Sequence, residues 1–462
     1  MEVLKHLLES INSVLWGPLL IVLLLAAGLF ITARTRMVQF VRFPLAMRET
    51  FGKALQRRKP GAQGDVSPFQ AMTVAMGGTV GVGNIAGVAT AIALGGPGAI
   101  FWMWMSGLLG MATKFAEVVL GVHYRRRDPG QPMIGGAMRY IEGGMGRQWK
   151  WLAMLFALFG GLAAFGIGNM VQANAVAEGM AHFGVSPWVT GGILVVCVGV
   201  VTIGGLKRIA AVASVFVPFM VGLYILGGLT VIVLHISRLP EVLGMIFRQA
   251  FTPTAATGGF IGAGVLMTIR QGMSRGVFSN EAGLGSAPIA HATARTDHPA
   301  RQGMWGILEV FLDTLVVCTI TALVVLLSGV WSSGARGATL TMQGFATTFG
   351  VAIGFPLVVI NMILTAYDTL LAWGFYGETC MAYLLGHGLL VRKIYRLVWL
   401  PCTLLGALGT LDVIWGIADI LNGLMAFPNL IALFALSGVV VRLTQGFLAG
   451  QPYTPPEGAV VD

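Results

Sequence analysis

Hydrophobic positions in this chain come in long runs rather than in alternation, and polar positions gather between the runs. Eleven runs are long enough to predict membrane-spanning helices, at about residues 14–33, 67–93, 99–122, 151–180, 187–204, 209–235, 260–291, 303–328, 351–384, 393–409 and 413–441. The predicted fold class is an all-α membrane protein. Segment 236–259 reads as an external loop with some interfacial helix. The tail after Arg442, with Pro452, Pro455 and Pro456, reads as disordered.

Two of the runs are interrupted. In the second, Gly77, Gly78, Gly81 and Gly83 fall within seven residues. Each disfavours helix by roughly 1 kcal/mol relative to alanine, so the helix is expected to open there. Opened backbone at membrane depth is tolerated only where protein buries it or a watery cavity borders it, which makes this stretch a candidate site for a small polar solute. A second copy follows at a constant offset of 196 positions: residues 83–91 fall on 279–287, with Asn84 on Asn280. In the same ungapped register Gly107, Gly110 and Phe115 meet Gly303, Gly306 and Phe311, and Glu117 meets Asp313. The match reads as internal duplication, and paired glycine-interrupted segments in two halves point to a transporter binding site.

Charge sets the orientation. If the basic loop after the first run is cytoplasmic, 22 of the 29 Lys and Arg residues lie on that side. Lys5, Arg238, Arg248 and Arg336 lie opposite, and Lys114, Arg270 and Arg275 lie within runs. By the positive-inside rule the amino terminus is outside and the carboxyl terminus cytoplasmic. The second run then points outward and the seventh inward. Spans two to six and seven to eleven form two inverted five-helix units beside a peripheral first span, the LeuT-type plan of inverted repeats with two discontinuous helices. The units expected are 1–66, a peripheral helix and basic loop; 67–259 and 260–445, the two repeats; and 446–462, a cytoplasmic tail. The net charge of +10 is thereby explained without nucleic acid.

Composition agrees. The chain is 56% hydrophobic and 10% charged, with 65 glycines that suit close helix approach in a membrane bundle. Its mean hydropathy is +0.81. Cys197, Cys318, Cys380 and Cys402 lie in apolar stretches without CxxC spacing, so neither disulfides nor a zinc site is expected. No secretory signal peptide is expected, since the first apolar run is followed by its main positive cluster.

Several motifs resemble the alanine/glycine:cation symporter family. They are Gly-Thr-Val-Gly-Val-Gly-Asn-Ile-Ala-Gly-Val-Ala-Thr-Ala-Ile-Ala at 78–93 and Met-Ala-Thr-Lys-Phe-Ala-Glu at 111–117. Gly-Asn-Met-Val-Gln-Ala-Asn at 168–174 and Gly-Val-Phe-Ser-Asn-Glu-Ala-Gly-Leu-Gly-Ser-Ala at 276–287 complete the set. The resemblance covers about residues 66–385. It implies a LeuT-like fold and sodium-coupled uptake of alanine or glycine across the cytoplasmic membrane. The residues alone lead to a secondary transporter for a small polar solute.

The first break starts an outward half-helix whose free N–H groups and positive dipole end suit a carboxylate, which makes Thr79, Gly81 and Gly83, with Asn84, candidate substrate contacts. At the second break Ser279 and Asn280 are expected to precede an inward half-helix and cap it, with Glu281 in its first turn. Ser279 and Asn280 are also candidate substrate contacts. Carbonyls near Met273–Gly276 are expected to accept an ammonium group, and Arg275 is a candidate partner of Glu281. Gln172 and Asn174 are amides in an apolar environment that need partners, and the resemblance puts Gln172 at the substrate pocket.

Thr365, Asp368 and Thr369 share one helix face, and hydroxyls opposite opened carbonyls make an oxygen cage for sodium, a hard cation. A LeuT-like arrangement implies that the carbonyls of Gly77 and Val80 complete it. The family usually has two adjacent hydroxyl residues where this chain has Asp368 and Thr369. An intramembrane carboxylate is by default functional, so Asp368 either strengthens cation binding or carries a proton as coupling ion. Trp373 walls the pocket. Lys114 with Glu117, and Glu309 with Asp313, are expected to form structural ion pairs between the repeats.

The expected partners are a small neutral amino acid, sodium and the bilayer. An ion channel lined by the glycine stretches is the alternative of another class. An intramembrane enzyme lacks a nucleophile–base set. A dinucleotide loop fails because Ala86 stands where GxGxxG needs its third glycine, with no βαβ context.

Overall fold

Ser67 accepts the Gln70 N–H and the Gln70 side chain accepts that of Ser67. With Pro68 in the first turn, this box starts a helix where the hydropathy rises. The helix, α2 (Pro68–Thr79), follows α1 (Pro18–Arg34) and stops at the expected glycines. The chain bends by 46° and resumes as α3 (Gly83–Gly95), whose first turn is a π-turn. The computed structural model describes residues 2–53, 64–127, 132–252, 264–386, 388–409 and 411–456. The remaining expected spans become α4 (Ala99–His123), α5 (Arg147–Ala181), α6 (Pro187–Thr202), α7 (Gly205–Leu234), α8 (Val265–Asn280), α9 (Ala287–His291), α10 (Pro299–Leu327), α11 (Val351–Leu385), α12 (Leu389–Leu408) and α13 (Leu411–Leu448).

Among the described residues, seven helices are long and apolar enough to cross a membrane, and α2 with α3 makes an eighth as a bent pair. The helix α6 is shorter and α12 carries Arg392, Lys393 and Arg396. The run at 260–291 is broken into α8 and α9, and 260–263 lies outside the described residues. The expected interfacial helix in segment 236–259 is Leu239–Gln249, which buries Val242 and Ile246; residues 253–259 lie outside the described residues. The basic residues Arg57, Arg58 and Lys59 also lie outside them.

The disorder expected after Arg442 does not hold for the described part of the tail. The helix α13 runs on to Leu448, and the Tyr453 ring lies against those of His123 and His298. Tyr453 Oη is 3.0 Å from His123 Nδ1, and burial pushes the phenol up to about 12, so it stays protonated. Residues 457–462 lie outside the described residues.

The core forms where the two halves of the chain interleave. The helix α4 packs along α8 and α10, while α11 packs on α2, α5 and α7. One end of both broken helices is tied together: Thr293 O accepts the N–H groups of Asp65 and Val66, and Val66 O accepts that of Arg295. Arg125 Nη1 donates to the carbonyls of Ala292 and Ala294 at the same end.

Charged side chains join α4 to α10 with no exposure to solvent. Lys114 Nζ lies 3.2 Å from Glu309 Oε1, and His291 Nε2 lies 2.8 Å from Glu309 Oε2. The expected pairs, Lys114 with Glu117 and Glu309 with Asp313, are therefore not the ones formed among the described residues. Lys114 takes Glu309, whereas Glu117 and Asp313 hold the two breaks. Removing one member of a buried pair leaves the other uncompensated, at a cost of about 3–5 kcal/mol. Lys114→Met is expected to lower the melting temperature in detergent, and Lys114→Met with Glu309→Leu to regain more than half of the loss. Melting unchanged in the single variant would show that the pair does not hold α4 to α10.

Candidate functional site

The first break spends its freed peptide groups on side chains brought from elsewhere. Gly81 N–H donates to Asn84 Oδ1 (2.9 Å) and Val82 N–H to Gln172 Oε1 (3.2 Å). Gln172 Nε2 donates to Ile167 O across the π-turn of α5, which fixes the amide orientation. The N–H groups expected to face a carboxylate are thus held by two neutral amides that a ligand would have to replace. Thr79 is buried and its hydroxyl donates back along α2, to Ala75 O (3.4 Å) or Met76 O (3.3 Å). Gly83 faces Phe278: a Cβ built on it would stand 3.1 Å from the Phe278 ring.

The second break is not built as expected. Ser279 and Asn280 end α8 rather than precede a new helix, and the carbonyls at Met273–Gly276 stay inside α8. Glu281 follows in the left-handed region at φ 55°, so it is not a first-turn residue of an inward half-helix. That conformation costs a non-glycine residue about 1–2 kcal/mol. The reversal needs Gly283 and Gly285 at φ 93° and 78°. Their N–H groups both donate to Glu117 Oε1 (3.0 Å each), which also accepts from Asn429 Nδ2 (2.6 Å). Local capping lost because a carboxylate from α4 does the same work across the bundle.

Asp313, the repeat-related position to Glu117, holds the other break. Its carboxylate accepts from Asn84 Nδ2 (2.7 Å), Ser279 Oγ (3.0 Å) and Thr314 Oγ1 (2.7 Å). Ser279 therefore joins the first break through Asp313. Asn280 does not: its Nδ2 donates to Thr314 Oγ1 and its Oδ1 accepts the Ala282 N–H. Asn169 and Asn174 bond carbonyls of α12 and serve packing, so Gln172 alone on that stretch reaches the break.

Glu281 accepts from Ser286 Oγ (2.5 Å) and from Trp373 Nε1 (2.7 Å), and the same indole N–H lies 3.4 Å from Gly78 O. Trp373 thus bridges the two breaks, and Glu281 does not pair with Arg275. Arg275 makes a two-pronged ion pair with Asp419 on α13 (3.1 and 2.9 Å). Its guanidinium lies 4.9 Å from the Trp415 ring, which stacks on Phe278 at 5.0 Å. Arg275, Phe278, Trp415 and Asp419 together cover the first break on one side.

Three side chains of the expected cation cage, Thr365, Asp368 and Thr369, lie together on α11 beside the first break. Thr369 Oγ1 donates to Gly77 O (2.8 Å), and Thr365 and Asp368 are buried on the same face. Asp368 packs against the first break so closely that a Cβ on Gly77 would stand 2.5 Å from its Oδ2. Both carboxylate oxygens are buried without a hydrogen-bond partner among the described residues. An oxygen-only set with two orphaned carboxylate atoms fits a hard monovalent cation. Val80 and Thr365 line the adjoining cavity with Gly81, Asn84, Tyr224 and Asn361.

Sequence reasoning passed over Asn361, one turn before Thr365; both of its amide atoms are buried and unpaired. Its spacing from Thr365 was the available signal. The cavity measures about 10 Å³, room for a single water-sized guest. Seating an amino acid therefore requires the covering side chains to move.

Two opened helices whose peptide groups are held by polar side chains, beside an oxygen cage, define a transporter rather than an enzyme. The fold has counterparts among solved structures. The solved structure of MhsT in complex with L-phenylalanine matches with a TM-score of 0.57 at 13% identity, over 84% of this chain and 100% of that one. The solved structures matched are LeuT-like transporters. The model of the sodium:alanine symporter family matches residues 1–453. This chain belongs to that family. It is 45% identical to the sodium/alanine symporter AgcS of Methanococcus maripaludis over 96% of each chain. It is 46% identical to an uncharacterized transporter of Haemophilus influenzae, again over 96% of each. The protein is a multi-pass membrane transporter for sodium-coupled amino-acid symport.

Gly81→Ala would place a methyl 2.8 Å from Thr369 Oγ1 and 3.2 Å from Gln172 Oε1. It is expected to weaken alanine binding by about tenfold or more and to cost about 1–3 kcal/mol of stability, with the protein still inserted and folded. Calorimetric titration with alanine is the measurement, and retained affinity would take the first break out of the site.

Proposed function

We propose that the protein couples inward sodium movement to uptake of a small neutral amino acid, alanine or glycine, across the cytoplasmic membrane. The observation that carries this is the juxtaposition of Asp368 and Thr369 with Gly77 at the first break, which brings oxygen side chains against the opened backbone. Sodium is held by Asp368, the hydroxyls of Thr365 and Thr369, and the carbonyls of Gly77 and Val80. The substrate carboxylate takes the N–H groups of Gly81 and Val82 from Asn84 and Gln172. Thr79, Gly83, Ser279 and Trp373 bound the space. The ammonium group lies toward Glu281, the acidic side chain that Trp373 connects to this break.

Coupling follows from reciprocity. A cation that stabilises the opened backbone raises amino-acid affinity, and the amino acid raises cation affinity by the same factor. Arg275 and Asp419 form the outer lid over Phe278 and Trp415. The eleven spans, paired as two inverted five-helix units after the first, give alternating access, with the amino terminus outside and the carboxyl terminus cytoplasmic.

A second reading is favoured by one observation, the unpartnered and buried Asp368 carboxylate. In it, Asp368 carries a proton in place of sodium. Labelled alanine uptake into proteoliposomes separates the two. Uptake is expected to need an inward sodium gradient, and equal uptake on a proton gradient alone would favour the second reading. Steady ion current without alanine, far above uptake turnover, would favour a channel. Asp368→Asn is expected to raise the sodium concentration for half-maximal uptake by about tenfold, because a charged ligand is replaced by a neutral one. Unchanged sodium titrations would remove Asp368 from the cage.

A further inference from the structure

The chain between α1 and α2 forms two short helices: Val38–Val41 lies against α4, and Phe43–Glu49 lies against the start of α10 and faces the end of α13 across a cleft. Exposed Phe40, Val41, Met47 and Phe51 alternate there with exposed Arg36, Arg42 and Arg48. Basic and apolar side chains mixed on one exposed segment are the pattern of a helix lying in the membrane interface.

Beneath this segment is an open cleft of about 590 Å³, lined by Arg42, Arg48, Glu49, Arg301, Phe447 and Leu448 among others. The cleft is large enough for a small-molecule headgroup. Arg301 is fixed in its floor: it pairs with Glu49 and with Asp297 (2.7 Å), and its guanidinium lies 5.2 Å from the Phe447 ring. Arg42 and Arg48 are different. Both line the cleft, both are exposed, and neither guanidinium makes an ion pair or hydrogen bond among the described residues.

We propose that this cleft binds the phosphate-bearing headgroup of an anionic phospholipid. Arg42 and Arg48 take the phosphate, and the exposed Phe40, Val41 and Leu448 meet the acyl chains. A free phosphate would satisfy the two guanidinium groups but would leave the apolar rim against water, which is why a lipid is assigned. The basic-residue count puts this end of the bundle at the cytoplasmic leaflet, where anionic lipid attracts such clusters. Neither Arg42 nor Arg48 belongs to the transport site, so the lipid site stands or falls independently of which solute is carried.

The test is thermal melting of the full-length protein in neutral detergent, titrated with dioleoylphosphatidylglycerol, with dioleoylphosphatidylcholine and with inorganic phosphate. Phosphatidylglycerol alone is expected to raise the melting temperature in a saturable way. Arg42→Gln with Arg48→Gln should melt normally without lipid and show about tenfold or more weaker apparent affinity for phosphatidylglycerol. Arg248→Gln, an exposed arginine at the opposite end, should titrate like the unaltered protein. An equal shift with phosphatidylcholine, an equal shift with phosphate alone, or an unchanged titration in the double variant would each overturn the proposal.

Discussion

Everything in this molecule depends on the peptide groups freed where two helices stop inside an apolar bundle. Buried and unpaired, each would cost several kcal/mol in surroundings without water. The chain meets that constraint with side chains drawn from distant helices. Asp313 collects Asn84 and Ser279, and Glu117 collects the N–H groups of Gly283 and Gly285. These two acids lie 196 positions apart, the same offset that aligns the two breaks, and each acts across the bundle.

The two breaks differ in how firmly they are held. Glu117 receives three donors and keeps Gly283 and Gly285 in a conformation that other residues resist. At the first break, single neutral amides from Asn84 and Gln172 stand against Gly81 and Val82. Neutral hydrogen bonds are weaker than charge-assisted ones, so a carboxylate can displace them. The second break is the fixed element and the first the exchangeable one, with Trp373 joining them through Glu281 and Gly78.

Much of this was legible in the chain. Apolar runs located the helices because burial in lipid demands them, and glycine density located the first break because helix propensity is local. The shared face of Thr365, Asp368 and Thr369 followed from helical periodicity, and the +196 register paired Glu117 with Asp313 before either had a visible task. The errors share one cause. Local pattern makes Ser279, Asn280 and Glu281 a helix cap and offers Arg275 the nearest acid along the chain. In the structure Glu281 ends α8 in a left-handed turn and Arg275 reaches Asp419, 144 positions away.

The sequence by itself therefore determined where helix is expected to fail and which residues share a face, since both depend on neighbours within a few positions. Only the tertiary structure decided which partner each freed peptide or buried charge would take. That choice rests on distances between helices far apart in the chain, and no local pattern encodes them.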